Sequence, residues 1–122
     1  MKDKKKRLIL PLKKKWFDMI KSGEKKEEYR EITEYWIRRL INKEHWYKLP
    51  TAYDIICECV LNQCDFDPYN DFDEIEFTCG YPKKEDKERR LLFKNPKICV
   101  TYGITDWGAE HGKKYFVITW NE

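Results

Sequence analysis

Alternation between polar and apolar residues in the segment from Asp73 to Cys79 is the feature that most constrains the fold. From residue 74 the order is Glu-Ile-Glu-Phe-Thr-Cys. Because successive side chains of an extended chain point to opposite sides, this order places apolar residues on one face and polar residues on the other. The sequence Gly80-Tyr81-Pro82 then predicts a turn. The segment therefore predicts a strand with one face in a core, which requires a sheet.

Apolar spacing elsewhere in the chain predicts the partners of that strand. Further strands are predicted at 8–12, 25–31, 91–93, 98–104 and 115–120, and 53–61 also leans toward a strand. Helices are predicted at 13–21, ending at Gly23 in left-handed geometry, and from an N-capping Thr33 to about residue 42. We expect a surface loop at 62–73. This order predicts an α+β fold in one domain, 1–122, with 1–6 as a frayed basic tail.

Charge is segregated along the chain. Net charges of +8 in 1–50, −8 in 51–82 and +3 in 83–122 give the total of +3. A basic N-terminal portion attracts phosphates, although a solvated lysine-rich surface balanced by an acidic loop has the same pattern. The 19 aromatic residues supply a small core and offer rings on which bases can stack.

The five cysteines predict reduced thiols in a cytoplasmic protein. Their number is odd, and the charged N-terminus is not followed by the apolar stretch of a signal peptide. Cys57, Cys59 and Cys64 are close together, but no second pair completes a zinc pattern, and the histidines lack ligand spacing. We therefore predict no metal and no cofactor. No apolar run approaches the length of a membrane span, so we expect no membrane partner.

The segment from Ser22 to Arg30 follows the first predicted helix and carries the most chemistry. In an extended chain Lys26, Glu28 and Arg30 share one face, and Lys25 at the turn can lean over it. Arginine binds phosphate or carbonyl groups with a planar fork, a carboxylate can act as a base, and a lysine near other cations can act as a base or nucleophile. A solvated edge strand with alternating salt bridges would show the same order of charges.

This segment resembles the signature of the ASCH domain, Gly-x-Lys-x-x-Glu-x-Arg after a helix with Trp-Phe-x-x-Ile. The matching positions are Gly23, Lys25, Glu28 and Arg30. Four other segments fit the family in the same order: Leu10-Pro-Leu12, Phe77-Thr-Cys-Gly-Tyr81, Trp107-Gly-Ala109 and Tyr115-Phe-Val-Ile118. Together they extend the resemblance over residues 7–121.

The resemblance implies a PUA-like curled mixed β-barrel with flanking helices and a cleft lined by the motif. Members of the family are associated with RNA binding, with amide hydrolysis of acylated cytidine, and with ribonuclease activity. Lys25 matches the lysine with a catalytic role in the amidohydrolase branch, whereas Glu28 stands where that branch has threonine. The long segment between Glu31 and Asp73 is expected to form a lid or a partner surface.

The sequence thus predicts a module that binds RNA or a nucleotide-like ligand. The predicted ligand-binding residues are Gly23, Lys25, Glu28, Arg30, Tyr81 and Trp107, the last two as stacking walls. Trp107 could equally plug the end of a barrel. One alternative is an amidohydrolase of a modified cytidine nucleoside, or a ribonuclease, with Lys25 and Glu28 as catalytic residues. A further alternative is a protein-interaction adaptor that recruits a partner through the basic and acidic surfaces.

Overall fold

A computed structural model describes residues 6–42 and 69–121 and shows an α+β fold. Its elements are β1 (Arg7–Leu12), α1 (Lys14–Lys21), β2 (Glu28–Arg30), α2 (Glu34–Leu40), β3 (Glu74–Cys79), β4 (Arg90–Tyr102) and β5 (Lys114–Asn121). The strands form a five-stranded mixed sheet in the order β1-β3-β4-β5-β2. The α+β prediction is confirmed. The barrel implied by the family resemblance is not closed by the strands of these residues.

The described residues group into two compact units. The first contains 6–28, 71–97 and 119–121, and the second contains 29–42, 69–70 and 98–118. The predicted strand at 53–61, most of the predicted loop at 62–73 and three of the cysteines lie outside the described residues. Neither α1 nor α2 is long and apolar enough to span a membrane.

The core of the first unit is made by one face of β1 and β3, which run parallel. Leu8 lies beside Ile75 and Leu10 beside Phe77, and all four are fully buried. The helix α1 adds Phe17 and Ile20 to the buried residues of this unit. The strand predicted from the alternation at 73–79 is confirmed.

The polar face of β3 is also buried, although alternation ordinarily predicts exposure for it. Glu74 and Glu76 are buried because guanidinium groups neutralise them: Arg7 Nη2 lies 3.1 Å from Glu74 Oε1, and Arg90 Nη1 lies 3.3 Å from Glu76 Oε2. Arg7 Nη1 also lies 3.6 Å from Glu76 Oε1. Charge-assisted hydrogen bonds of this kind offset part of the cost of removing the carboxylates from water. The first unit thus has a charged layer on the side of β3 opposite its apolar core.

In the second unit α2 begins where the sequence predicts. The Thr33 hydroxyl accepts a hydrogen bond from the Trp36 N–H at 3.4 Å, so Thr33 is the N-cap. Tyr29, at the middle of β2, packs with Ala109, Tyr115 and Val117 in a small core. The strand β2 has three residues, whereas the sequence predicts a strand over 25–31. Its hydrogen-bonded part begins only after the turn that carries Lys25.

The strand β4 corrects the prediction of two separate strands at 91–93 and 98–104. It is one strand of 13 residues that passes through the Asn-Pro sequence at 95–96 without ending. Asn95 takes a φ of +53°, and its N–H donates to the Asp73 carbonyl at 3.0 Å. Because asparagine tolerates left-handed geometry and this N–H keeps a partner, the interruption is local and the strand continues.

Candidate functional site

The turn after α1 brings the predicted lysine back against the helix. Gly23 has a φ of +85°, and its N–H donates to the Ile20 carbonyl at 3.1 Å. The Lys25 N–H then donates to the Met19 carbonyl at 3.0 Å, which folds the chain back along α1. No atom lies within 4 Å of a Cβ added at Gly23, so glycine is needed for its backbone conformation rather than for space. Gly23 therefore shapes the site and presents no side chain to a ligand.

Lys25 and Glu28 form a buried ion pair. The distance from Lys25 Nζ to Glu28 Oε1 is 3.0 Å, and the two residues are only 1% and 4% exposed. The same ammonium lies 4.6 Å from the centre of the Trp16 ring. A buried lysine is stabilised in its charged form by an opposite charge and by the electron-rich face of an aromatic ring, and this one has both. The sequence predicts the contact between Lys25 and Glu28 but not the depth of its burial.

Trp16 connects this buried pair to the protein surface. Its ring also has Lys15 Nζ at 4.7 Å, and the residue is half-buried, whereas Phe17 and Ile20 beside it are buried. The helical spacing predicts Trp16 as a core residue, but the ring is half-buried and contacts both a buried cation, Lys25, and an exposed one, Lys15. The sequence signal for this role is the pair of lysines, one beside Trp16 and one after the glycine turn.

Arg30, the last predicted member of the charged group, belongs to the second unit. Its guanidinium carbon lies 5.3 Å from the centre of the Trp36 ring, and its Nη1 donates to the Tyr29 carbonyl at 2.8 Å. Tyr35 packs its ring edge-on against Trp36, with 4.9 Å between the ring centres. Arg30 is thus half-buried within an aromatic group of α2.

The two predicted stacking residues have opposite environments. Trp107 is half-buried and packs against the core of the second unit formed around Tyr29 and Tyr115. Tyr81, in the first unit, is 92% exposed. A tyrosine that leaves this much of its ring in water has its full face available for a planar ligand. Of the two, Tyr81 has the exposure that base stacking needs.

Exposed lysines surround the start of α1 near Tyr81. The Gly80 N–H donates to the Leu12 carbonyl at 2.9 Å, which places the Tyr81 turn beside the residue that precedes Lys13. Five lysines on these two segments are exposed: Lys13, Lys14, Lys15, Lys83 and Lys84. We call Tyr81 and these five lysines the Tyr81 platform. A hydrogen bond from Lys14 to Asp18 at 2.6 Å raises the pKa of Lys14.

The described residues contain no group of three or more potential metal ligands. Cys79 is half-buried and Cys99 is exposed, and both are free thiols. The two buried carboxylates of β3 already bind arginines, so within the described chain they lie in an ion-pair layer rather than in a metal-binding cluster.

No protein-family model, curated protein or solved structure matches the chain. The resemblance to ASCH domains therefore rests on Gly23, Lys25, Glu28 and Arg30 and on the four flanking segments. Sequence reasoning did not place Lys13, Lys14 and Lys15 in a site. Their consecutive positions at the start of the helix predicted at 13–21 were the available signal.

Proposed function

We propose that the chain is an ASCH-type, PUA-like module that binds single-stranded RNA or a nucleotide-like ligand. The observation that carries the proposal is the Tyr81 platform: Tyr81 is 92% exposed, its turn is hydrogen-bonded to the residue before Lys13, and exposed lysines lie on both segments. Aromatic rings accept unstacked bases, and neighbouring cations bind the phosphates between them. The basic N-terminal portion of the sequence supports the same class of ligand.

The buried pair of Lys25 and Glu28 supports this surface indirectly. An ammonium that is 1% exposed is shielded from a bulky phosphate chain, but it packs on the ring of Trp16. That ring in turn contacts Lys15, one of the platform lysines. We propose that the pair fixes Trp16 and so restricts where the Lys15 ammonium can lie. Arg30, on the second unit, is a separate candidate contact for a phosphate or a base edge.

The binding test compares variants of the platform over a range of salt concentrations. The ligand is a fluorescently labelled single-stranded RNA, and the dissociation constant is measured from about 50 to 200 mM salt. The association constant K falls as salt rises, and each lost phosphate contact makes the slope of log K against log salt less steep by about 0.7 for a single strand. Lys13→Gln with Lys15→Gln should therefore flatten the slope by about 1.4, and Tyr81→Ala should weaken binding with little change of slope.

Lys21→Gln is the matched control, because Lys21 is also exposed on α1 but lies in its last turn. We expect its slope and affinity to stay close to those of the parent protein. Absence of binding at 50 mM salt, or an affinity independent of salt, would contradict the proposed function. Equal losses for Lys21→Gln and the platform variants would contradict the location of the site.

The same buried pair supports a second candidate, hydrolysis of an acylated cytidine. Lys25 Nζ and Glu28 Oε1 lie 3.0 Å apart, so the two residues that the family resemblance suggests as catalytic are in direct contact. In this proposal Glu28→Gln, which keeps shape and hydrogen bonding, should lower turnover by about 10²–10⁴. Product formation from an acylated cytidine and cleavage of the labelled RNA are measured in parallel, with thermal unfolding to check folding. If the parent protein releases neither product, the enzymatic candidate fails.

A further inference from the structure

The loop that carries Tyr81 is attached to the first unit at both of its ends. Before Tyr81, the Gly80 N–H donates to the Leu12 carbonyl at 2.9 Å, and the Thr78 hydroxyl donates to the Gly80 carbonyl at 2.8 Å. After Tyr81, Arg90 Nη2 donates to the carbonyls of Pro82 and Lys83, each at 3.1 Å. The exposed ring of Tyr81 adds little packing of its own, so its position depends on these backbone anchors.

The guanidinium of Arg90 is oriented by a buried carboxylate. Its Nη1 donates to Glu76 Oε2 at 3.3 Å, and Glu76 is 8% exposed on the charged face of β3. The other carboxylate oxygen lies 3.6 Å from Arg7 Nη1. Arg90 is opposite Thr78 in the antiparallel pair of β3 and β4, so its side chain starts at the base of the loop. Glu76 therefore sets the direction from which Arg90 reaches the two carbonyls.

This arrangement uses the planar fork of arginine rather than its charge alone. One terminal nitrogen of Arg90 donates to the Glu76 carboxylate, and the other donates to two carbonyl oxygens. A lysine has a single ammonium on a flexible chain and cannot make these three hydrogen bonds with the same geometry. Only 24% of the Arg90 side chain is exposed, compared with 64% for its neighbour Arg89. Arg90 thus faces the loop and β3, whereas Arg89 is largely exposed and pairs with Asp86 at 3.5 Å.

We infer that Arg90 is a positioning residue that holds Tyr81 in the orientation required to stack on a base of single-stranded RNA. The inference rests on the proposed function. Glu76 makes no contact with the ligand in this proposal; it orients Arg90, and Arg90 positions Tyr81. Arg90 contributes to affinity through Tyr81 and makes no phosphate contact of its own.

A double-mutant cycle with Arg90→Lys and Tyr81→Ala tests the inference at fixed salt, with the labelled single-stranded RNA. Tyr81→Ala should weaken binding by about 5- to 150-fold, the range for one stack of a base on an aromatic ring. Arg90→Lys keeps the charge but should weaken binding by a measurable part of the factor lost in Tyr81→Ala and never by more, because the loop loses its anchor while the ring remains. In the Tyr81→Ala background the same change should have almost no effect, since no ring remains to position.

Arg89→Lys is the control, because it makes the same chemical change at an exposed neighbour. It should leave the dissociation constant unchanged. Independent effects of Arg90→Lys and Tyr81→Ala would show that Arg90 contributes to affinity other than through the Tyr81 ring, by direct contact or through Lys83, and would overturn the inference. Unchanged affinity for Arg90→Lys alone would overturn it as well.

Amide hydrogen exchange separates this inference from the proposed function. If Arg90 anchors the loop, Arg90→Lys should speed exchange at Gly80, whose N–H donates to Leu12, while exchange in the middle of β3 stays slow. This measurement needs no RNA. If the parent protein binds no RNA but Gly80 exchange rises, the proposed function fails and the loop anchor remains. Unaltered exchange at Gly80 would contradict the anchor itself.

Discussion

Removal of Lys25 is expected to cost a large part of the stability of the protein. In Lys25→Met the ion pair at 3.0 Å and the contact with Trp16 at 4.6 Å are both lost, and the Glu28 carboxylate stays in a site where it is 4% exposed. Breaking a buried pair by removing one partner destabilises proteins by about 3–5 kcal/mol. Because domains of this size have about 5–15 kcal/mol of stability, this is at least about a fifth of the total.

The assay is urea unfolding followed by tryptophan fluorescence. With a urea dependence of about 1–3 kcal/mol per molar, the loss should move the midpoint by more than about 1 M. The double variant Lys25→Met with Glu28→Leu should recover at least half of the lost free energy, since apolar pairs often replace buried ion pairs without net cost. Lys14→Met is the control: Lys14 pairs with Asp18 at 2.6 Å on an exposed helix face, and its removal should barely move the midpoint.

Two results would refute this reasoning. A loss below about 1 kcal/mol for Lys25→Met would mean that water reaches the Glu28 carboxylate and that the pair is not buried in solution. Losses that add in the double variant would mean that Lys25 and Glu28 are stabilised by separate interactions and do not act as a pair.

Three further predictions concern the backbone and the thiols. Gly23→Ala should destabilise the protein by about 1–2 kcal/mol in urea unfolding, because φ is +85° there, and Gly23→Asn should cost less; equal losses would contradict a conformational cause. Gly103→Ala should lower the free energy of unfolding by about 1–3 kcal/mol through overpacking, because an added Cβ would lie 2.6 Å from Ala109 Cβ and 2.7 Å from Tyr29 Cε1. An unchanged urea midpoint would show that these neighbours can move aside at little cost. The denatured, non-reduced protein should titrate all five cysteines as free thiols, and a smaller number would indicate disulfides.

Local structure was largely predictable from the sequence because its causes are local. The end of α1 follows from Gly23, and the start of α2 follows from Thr33, since each residue acts within a few positions of itself. The strand β3 follows from its own alternation. The prediction of two strands where β4 is continuous was wrong because an Asn-Pro sequence ordinarily indicates a turn. Here a hydrogen bond to Asp73, which is distant in sequence, compensates for the irregular residue.

The burial of charge was not predictable in the same way. Glu76 looks like a solvent-facing strand residue until Arg7 and Arg90 are brought to it from two other strands. The motif predicted that Lys25 would lie near Glu28, but its burial depends on the Trp16 ring against which the turn folds. These features depend on tertiary pairing, and a single sequence carries no direct signal of it. The nucleotide-binding function stays a prediction, and the Tyr81 platform is the surface on which to test it.

The parallel pairing of β1 with β3 has a consequence for synthesis on the ribosome. Arg7 and its partner Glu74 are 67 positions apart, so β1 leaves the ribosome well before its partner strand exists. At about 5–20 residues per second the delay is roughly 3–13 s, during which Leu8, Leu10 and Leu12 have no sheet to cover them. Arg7 and Lys13, at either end of this apolar run, are charges of the kind that suppress aggregation of nascent strands. Lys13→Gln should lower the soluble yield of newly made protein more than it lowers the urea midpoint of the folded protein, whereas neutralising Arg7 would also leave the buried Glu74 carboxylate without its guanidinium.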